Sequence, residues 1–312
     1  MTVTVLNAFQ KPFLEGKLPN WVEPRWFSTV DELIDLAPQA EIGWLDCFEF
    51  QSTYEAARWA ENLKWLNTLA AGVDLFPLDL LRERGVTFTN GAGLNAITIA
   101  EYAVMGMLVI AKGYREVVRS QDRREWLNEA PGKQELYGSK ALIVGAGGIG
   151  GRIAELLRPW GVDVTLVRRN PAPGVLTPDE WRGRLGEFDW VLLAVPGTPD
   201  TDKMFSAAEF AAMKDGASIL NIARGTLIDQ QALMDAVSSG HIGGAFLDVT
   251  DPEPLPSDHP LWGFDNVHIT SHLSGRSQET LIRRCAERFL ANLERYERGE
   301  PLEAQVDLSR GY

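Results

Sequence analysis

The residues with the most chemistry in this chain stand at the ends of short apolar runs. Ala141-Leu142-Ile143-Val144 leads directly into Gly145-Ala146-Gly147-Gly148-Ile149-Gly150, and a helical pattern follows over Arg152–Trp160. A glycine hexapeptide alone is weak evidence, but a strand, the glycines, a helix and a second apolar run at Val162–Val167 form the pattern of a dinucleotide site. The first glycine permits a tight turn, the second lets backbone approach a pyrophosphate, and the third lets helix pack on strand. Unpaired N–H groups and the positive dipole end at the helix start suit the phosphates, which makes Gly145, Gly147, Gly148, Ile149 and Gly150 the contact residues. The second run ends in Val167-Arg168-Arg169-Asn170, where a carboxylate would select the ribose 2′-hydroxyl of NAD. Arg168 and Arg169 suit a 2′-phosphate instead, so NADP(H) is expected to be preferred, with NAD(H) the alternative. Asp163 begins that run and is expected to lie away from the ribose.

Only four histidines can serve as a proton donor: His241, His259, His268 and His272. His272 follows Val267-His268-Ile269-Thr270 at its carboxyl end, where open parallel sheets bind ligands, and Gly275 leaves room beside it. His268 lies within that run, His259 in the loop Pro254–Pro260 and His241 in a glycine-flanked turn, so these three read as structural. Two other strand ends, Asn221-Ile222-Ala223-Arg224-Gly225 and Leu247-Asp248-Val249-Thr250-Asp251-Pro252-Glu253-Pro254, bring a cation and carboxylates to the same edge.

Apolar runs alternating with helical patterns predict an α/β fold with parallel sheets. Expected strands in the first third are Thr2–Leu6, Glu41–Leu45, Trp65–Leu69 and Val86–Thr89, with a helix at Val30–Leu36 among those between them. A second series follows at Lys140–Val144, Val162–Val167, Trp190–Val195, Ser218–Ile222, Gly244–Val249 and Asn266–Thr270, six strands that suit one dinucleotide-binding sheet. Asn95–Val118 reads as one long connecting helix, and Gln278–Arg298 as a closing helix returning toward the first domain. The expected architecture is two doubly wound domains, a Rossmann cofactor domain at 98–285 inserted into a flavodoxin-like substrate domain at 1–97 plus 286–312.

A net charge of −13 argues against nucleic acid or an anionic membrane as partner. Two cysteines, Cys47 and Cys285, form no disulfide framework or metal spacing and read as small buried hydrophobes, so no metal is expected. No signal-peptide pattern is read at the N-terminus, and the longest apolar stretch, Ile97–Ala111, carries Glu101 and is shorter than a span needs. A cytoplasmic location is the expectation.

Together these motifs resemble the D-isomer-specific 2-hydroxyacid dehydrogenases, the group that contains glyoxylate/hydroxypyruvate reductases and phosphoglycerate dehydrogenases. The resemblance covers most of the chain and rests on Ala71-Gly72-Val73-Asp74, Asn90 to Glu101, the glycine loop, Asn221-x-Ala223-Arg224-Gly225-x-x-x-Asp229, Asp248 through Glu253-Pro254, Thr270-Ser271-His272 and the tail Val306-Asp307 with Gly311-Tyr312. It implies that Arg224 binds the substrate carboxylate and carbonyl, that His272 transfers the proton, and that Glu253 orients His272. It also implies backbone contacts to the carboxylate around Ala71, Gly72 and Val73, a nicotinamide contact at Asp248, and cofactor contacts at Ala223 and Thr198. The residue types agree: a guanidinium fork suits a carboxylate, and a carboxylate beside an imidazole favours the imidazolium. Trp44, near a strand end of the first domain, is expected to wall the substrate pocket, and a homodimer is implied by resemblance, with the connector Glu125-Trp126-Leu127 at its contact.

One departure stands out: the family usually has proline where this chain has Ser271, so the fixed φ of proline is lost beside His272. The expected substrates are small 2-keto and 2-hydroxy acids such as glyoxylate and hydroxypyruvate, because no basic cluster awaits a phosphate-bearing side chain. Two alternatives stay open. A formate or phosphite dehydrogenase shares the architecture, but formate enzymes resemble one another in pairing histidine with glutamine where this chain has Glu253. A nucleotide-sensing binding protein like the C-terminal-binding corepressors is weakened by the lack of a long polar tail.

Overall fold

The computed structural model describes residues 1–47, 49–73, 75–170, 172–276 and 278–310, with the side chains of Phe50 and Gln278 also left aside. Asp74, Gly311 and Tyr312, which carry part of the resemblance, lie outside the described residues. The chain runs β1 (Thr2–Asn7), α1 (Lys11–Leu14), β2 (Val22–Phe27), α2 (Val30–Leu36), β3 (Ile42–Trp44), α3 (Phe50–Trp59), β4 (Trp65–Asn67), α4 (Leu78–Glu83) and β5 (Thr87–Thr89). It continues through α5 (Ala96–Lys112), α6 (Tyr114–Arg123), β6 (Lys140–Val144), α7 (Gly148–Leu157), β7 (Asp163–Val167), β8 (Val175–Leu176) and β9 (Trp190–Leu193). Then follow α8 (Ala207–Ala212), β10 (Ser218–Asn221), α9 (Gln230–Ser238), β11 (Gly244–Leu247), β12 (Val267–Ile269) and α10 (Gln278–Glu297). These elements divide into two units, Met1–Asn95 with Ser277–Tyr312, and Ala96–Arg276.

The first unit holds a parallel sheet in the order β2-β1-β3-β4-β5, the flavodoxin-like arrangement. Its strands are buried on both faces by alternation: Val5, Leu45 and Leu66 join one apolar cluster, while Leu6, Trp44 and Trp65 join the other. Strand β2 was not expected, because Pro24 interrupts its pattern. It is tolerated because β2 is the edge strand, where a missing N–H costs no ladder bond on the open side. Helix α2 starts on a capping box between Thr29 and Glu32 and spans the residues anticipated from its spacing. Cys285, Ala286, Phe289 and Leu293 of α10 pack into the cluster with Trp44 and Trp65. All of α10 therefore packs with the first unit.

The second unit holds a parallel sheet in the order β12-β11-β10-β9-β6-β7-β8. Numbered from β6 this is 3-2-1-4-5-6-7, the Rossmann order with one further strand, and its direction reverses between β6 and β9. Both faces are again apolar: Leu142, Val191, Ile219 and Leu247 point into one cluster, and Ile143, Leu192, Leu220 and Phe246 into the other. The two-residue β8 escaped the sequence reading because it is too short to show a period and follows the turn before Gly174. The single long helix expected over Asn95–Val118 is instead α5 and α6, bent by 68°. Gly113 makes the break, with a left-handed φ of +58°, and a Cβ there would come within 2.8 Å of the Gly132 nitrogen. No single described helix is long and apolar enough to cross a membrane.

Candidate active site

The glycine loop leaves β6 at the point where strand order reverses, the crevice in which open α/β sheets bind ligands. The Gly145 N–H donates to the Val167 carbonyl (3.0 Å) and the Ala194 N–H to the Val144 carbonyl (2.8 Å), tying the loop's root to its neighbours. Each glycine has a different duty. Gly145 has φ +114°, and a Cβ on it would lie 2.4 Å from the Ala194 oxygen; one on Gly150 would lie 1.8 Å from the Gly145 oxygen. Gly147, at the N-cap of α7, has nothing within 4 Å of its Cβ position, so its space is open toward solvent rather than used in packing. The helix opens with Gly148 and Ile149 accessible, and no side chain caps it. An open approach to first-turn N–H groups fits a pyrophosphate. The helix thus begins inside the motif, earlier than the Arg152 expected from periodicity.

Arg168 and Arg169 are exposed just beyond the end of β7, and Asp163 stands at its opposite end. Thr198 follows β9 in a turn where its N–H donates to Thr201 Oγ1 (2.8 Å).

Three further loops leave the carboxyl ends of β10, β11 and β12. After β10, Asn221 closes a turn: its Nδ2 donates to the Arg224 carbonyl (2.8 Å) and its Oδ1 accepts from the Ala223 N–H (3.1 Å). A Cβ on Gly197 would lie 2.9 Å from Arg224 Cγ, and one on Gly225 would lie 2.0 Å from the Thr250 oxygen. These two glycines admit the arginine stem and let the β10 and β11 loops touch. After β11, the Thr250 N–H donates to Glu253 Oε1 (3.0 Å), and Glu253 Oε2 lies 2.8 Å from Nδ1 of His272, in the loop after β12. Partial burial pushes the Glu253 carboxyl up, but the His272 hydrogen bond and charge, the Thr250 N–H and the Arg224 charge outweigh it and hold it below the usual range. Arg224, Glu253 and His272 are therefore brought together.

The other histidines are engaged structurally. His268 is largely buried, and burial with the charges of Arg115 and Arg119 pulls it down to about 4. His259 Nδ1 accepts from the Leu261 N–H, and His241 pairs with the Phe210 carbonyl and Asp215. Among the described residues no cluster of three metal-ligating side chains exists.

Two of the expected site residues are deeply buried. Asp248 is 1% exposed, and its carboxylate accepts from Thr270 Oγ1 (2.7 Å), the Leu273 N–H (2.9 Å), the Ser274 N–H (3.2 Å) and Ser274 Oγ (2.5 Å). These bonds tie its carboxylate to the histidine loop. Trp44 is fully buried against Phe289 and donates from Nε1 to Asp46 Oδ2 (2.6 Å), so it is core rather than pocket wall. Sequence reasoning missed Asp46, which also accepts from Thr68 Oγ1 (2.7 Å) and the Leu69 N–H (2.8 Å), and so anchors the loop that continues to Ala71, Gly72 and Val73. Asn90 Nδ2 holds the same loop by the Ala71 carbonyl (2.7 Å), and Val73 is buried. Of the cysteines, Cys285 is buried and its thiol is pushed up to about 12 by that burial; Cys47 is only half-buried, and its Sγ donates to the Glu49 carbonyl.

Comparison with known proteins gives the family. Residues 104–274 match the family model "D-isomer specific 2-hydroxyacid dehydrogenase, NAD binding domain". A human glyoxylate reductase/hydroxypyruvate reductase is 33% identical over 263 residues, 79% of this chain and 78% of that protein. A chloroplastic/mitochondrial formate dehydrogenase from Arabidopsis thaliana is 34% identical over 261 residues, 80% of this chain and 67% of that protein. Among solved structures, a D-isomer specific 2-hydroxyacid dehydrogenase from Xanthobacter autotrophicus Py2, in complex with NADPH and MES, superposes with a TM-score of 0.78 at 27% identity, covering 100% of this chain and 99% of that one. The chain belongs to the D-isomer-specific 2-hydroxyacid dehydrogenase family of NAD(P)-dependent oxidoreductases.

Proposed function

We propose that this enzyme reduces small 2-keto acids of the glyoxylate and hydroxypyruvate kind to D-2-hydroxy acids, with NADP(H) preferred. The observation that carries the reading is the Glu253–His272 pair, 2.8 Å apart beside Arg224, on the sheet that also bears the glycine loop. Gly145, Gly147, Gly148, Ile149, Gly150, Thr198 and Ala223 form the cofactor's side of the site in this reading, with Arg168 and Arg169 on a 2′-phosphate. A bound nicotinamide supplies the hydride. The Arg224 guanidinium holds the substrate carboxylate and draws electron density toward the carbonyl oxygen. Glu253 occupies Nδ1 of His272, which leaves Nε2 to deliver the proton to that oxygen as the C=O π bond breaks.

The paired Glu253 favours this reading over formate or phosphite oxidation, since a carboxylate, unlike an amide, can only accept and so fixes Nδ1 as the donor and leaves Nε2 for the substrate. Initial rates of NADPH oxidation with glyoxylate, hydroxypyruvate and longer 2-keto acids, against NADP+ reduction with formate and phosphite, test it. Turnover confined to formate or phosphite would overturn the proposal, and cofactor binding without turnover on any of them would favour a sensing role. A cytoplasmic homodimer belongs to the same reading. It is supported by exposed Tyr114, Val117 and Val118 on α6 and by Trp126, 91% exposed, in the connector that follows; light scattering on the purified protein would check the dimer.

A further inference from the structure

The loop that carries His272 has an unusual backbone. Ser271 and His272 are consecutive non-glycine residues in the left-handed region, with φ +54° and +56°. Such a conformation is costly for side chains other than glycine and persists only where the surroundings impose it. Here one residue supplies most of the hydrogen bonds around the pair. The Asp248 carbonyl accepts from the His272 N–H (2.5 Å), and the Asp248 carboxylate gathers Thr270, Leu273 and Ser274 around it, so both flanks of the left-handed pair are tied to a single buried side chain. The pair turns the imidazole back toward the β11 loop, where Nδ1 meets Glu253.

We propose that Asp248 is a positioning residue for His272, and that Ser271 is the residue which lets the loop take this form. Proline's ring fixes φ near −65°, so proline at 271 is incompatible with this backbone even though it would be unremarkable in most loops. The inference rests on the proposed proton-transfer role of His272, but its structural half can be read without turnover.

The test compares Ser271→Gly, Ser271→Val and Ser271→Pro in the full-length protein, with Asp248→Asn beside them. Each is measured for kcat and KM with its best 2-keto acid, for NADPH Kd by fluorescence, and for the Glu253 carboxyl titration by carbon-13 NMR without ligands. Tolerance of left-handed backbone falls from Gly through Ser to Val and is absent in Pro. The expected order of kcat is the same, with Gly within about twofold of Ser and Pro at least tenfold lower, while NADPH Kd for the three Ser271 variants stays within about threefold. The Glu253 titration should move upward in Ser271→Pro and Asp248→Asn, as the His272 hydrogen bond that lowers it breaks, and stay in place in Ser271→Gly. Wild-type kcat together with an unmoved Glu253 titration in Ser271→Pro would overturn the proposal. A shifted titration in a protein whose wild type reduces no 2-keto acid would instead refute the activity and leave the positioning intact. Should Ser271→Pro fail to fold, Ser271→Val decides by the same two readouts.

Discussion

His272 and Glu253 lie nineteen positions apart in the chain, and the role proposed for each depends on their pairing. An imidazole without the carboxylate would lose the bond that holds its Nδ1; a carboxylate without the imidazole would be a half-buried charge lacking its main partner. His272→Ala should lower kcat on the order of 10²–10⁴-fold while NADPH Kd stays nearly constant, as measured by steady-state kinetics and fluorescence titration. Glu253→Gln keeps the shape and removes the charge, and a smaller fall, roughly tenfold or more, is expected. Because Glu253 is held below the ordinary carboxylate range, acid should break the pair only below that range, so the acid limb of kcat assigned to Glu253 belongs there and should disappear in Glu253→Gln. At the other end of the site, Arg168→Ser with Arg169→Ser should reduce kcat/KM for NADPH by about 10–100-fold for each charge-assisted hydrogen bond removed, leaving that for NADH little changed. Equal reductions for both cofactors would remove the arginines from the 2′-phosphate.

Among the elements, the glycine loop separates ligand binding from packing more sharply than its motif does. Gly150→Ala would drive a Cβ to within 1.8 Å of a backbone oxygen, and overpacking of that kind costs about 1–3 kcal/mol, visible as a lowered Tm. Gly147→Ala meets nothing within 4 Å and should leave Tm close to wild type, yet NADPH Kd should rise at least tenfold because the added methyl occupies the approach to the phosphates. A Gly147→Ala protein with unchanged Kd would refute the pyrophosphate placement. The loop was legible in the sequence because strand, turn and helix succeed one another within a few residues. Less local features were not. Strand β2 carries Pro24, and only its edge position makes that acceptable; the break between α5 and α6 depends on Gly113 meeting Gly132, a contact between residues nineteen apart that no periodicity announces.

For the molecule as a whole, a buried carboxyl and a part-buried imidazole should give the two units opposite responses to acid. In the first unit, burial pushes Asp46 up to about 6 against the pull of its hydrogen bonds from Thr68, Leu69 and Trp44. The folded unit therefore binds this proton more readily than the unfolded chain, and its stability falls as pH rises from near 4 to near 6, by about 3 kcal/mol at most. In the second unit His268 is pulled down to about 4, so the unfolded chain binds the proton more readily and stability rises with pH from about 4 to 6.5. Hydrogen exchange followed at pH 4.5 and 7 should show β3 and β4 relatively better protected at the lower pH and β11 and β12 at the higher. The contrast should shrink in Asp46→Asn and His268→Gln respectively.

The sequence by itself determined the α/β class, the two parallel sheets and the glycine loop, because these rest on apolar period and on local order; the roles expected of Arg224, Glu253 and His272 came from the family resemblance. Tertiary structure decided what each side chain is spent on. Trp44 is taken up by the core and Asp248 holds the histidine loop, since burial and hydrogen-bond partners are set by residues far along the chain. Likewise Ser271 reads as the loss of a rigid proline. The fold turns it into a left-handed residue that proline could not be, because backbone φ at that point answers to Asp248 rather than to its neighbours in sequence.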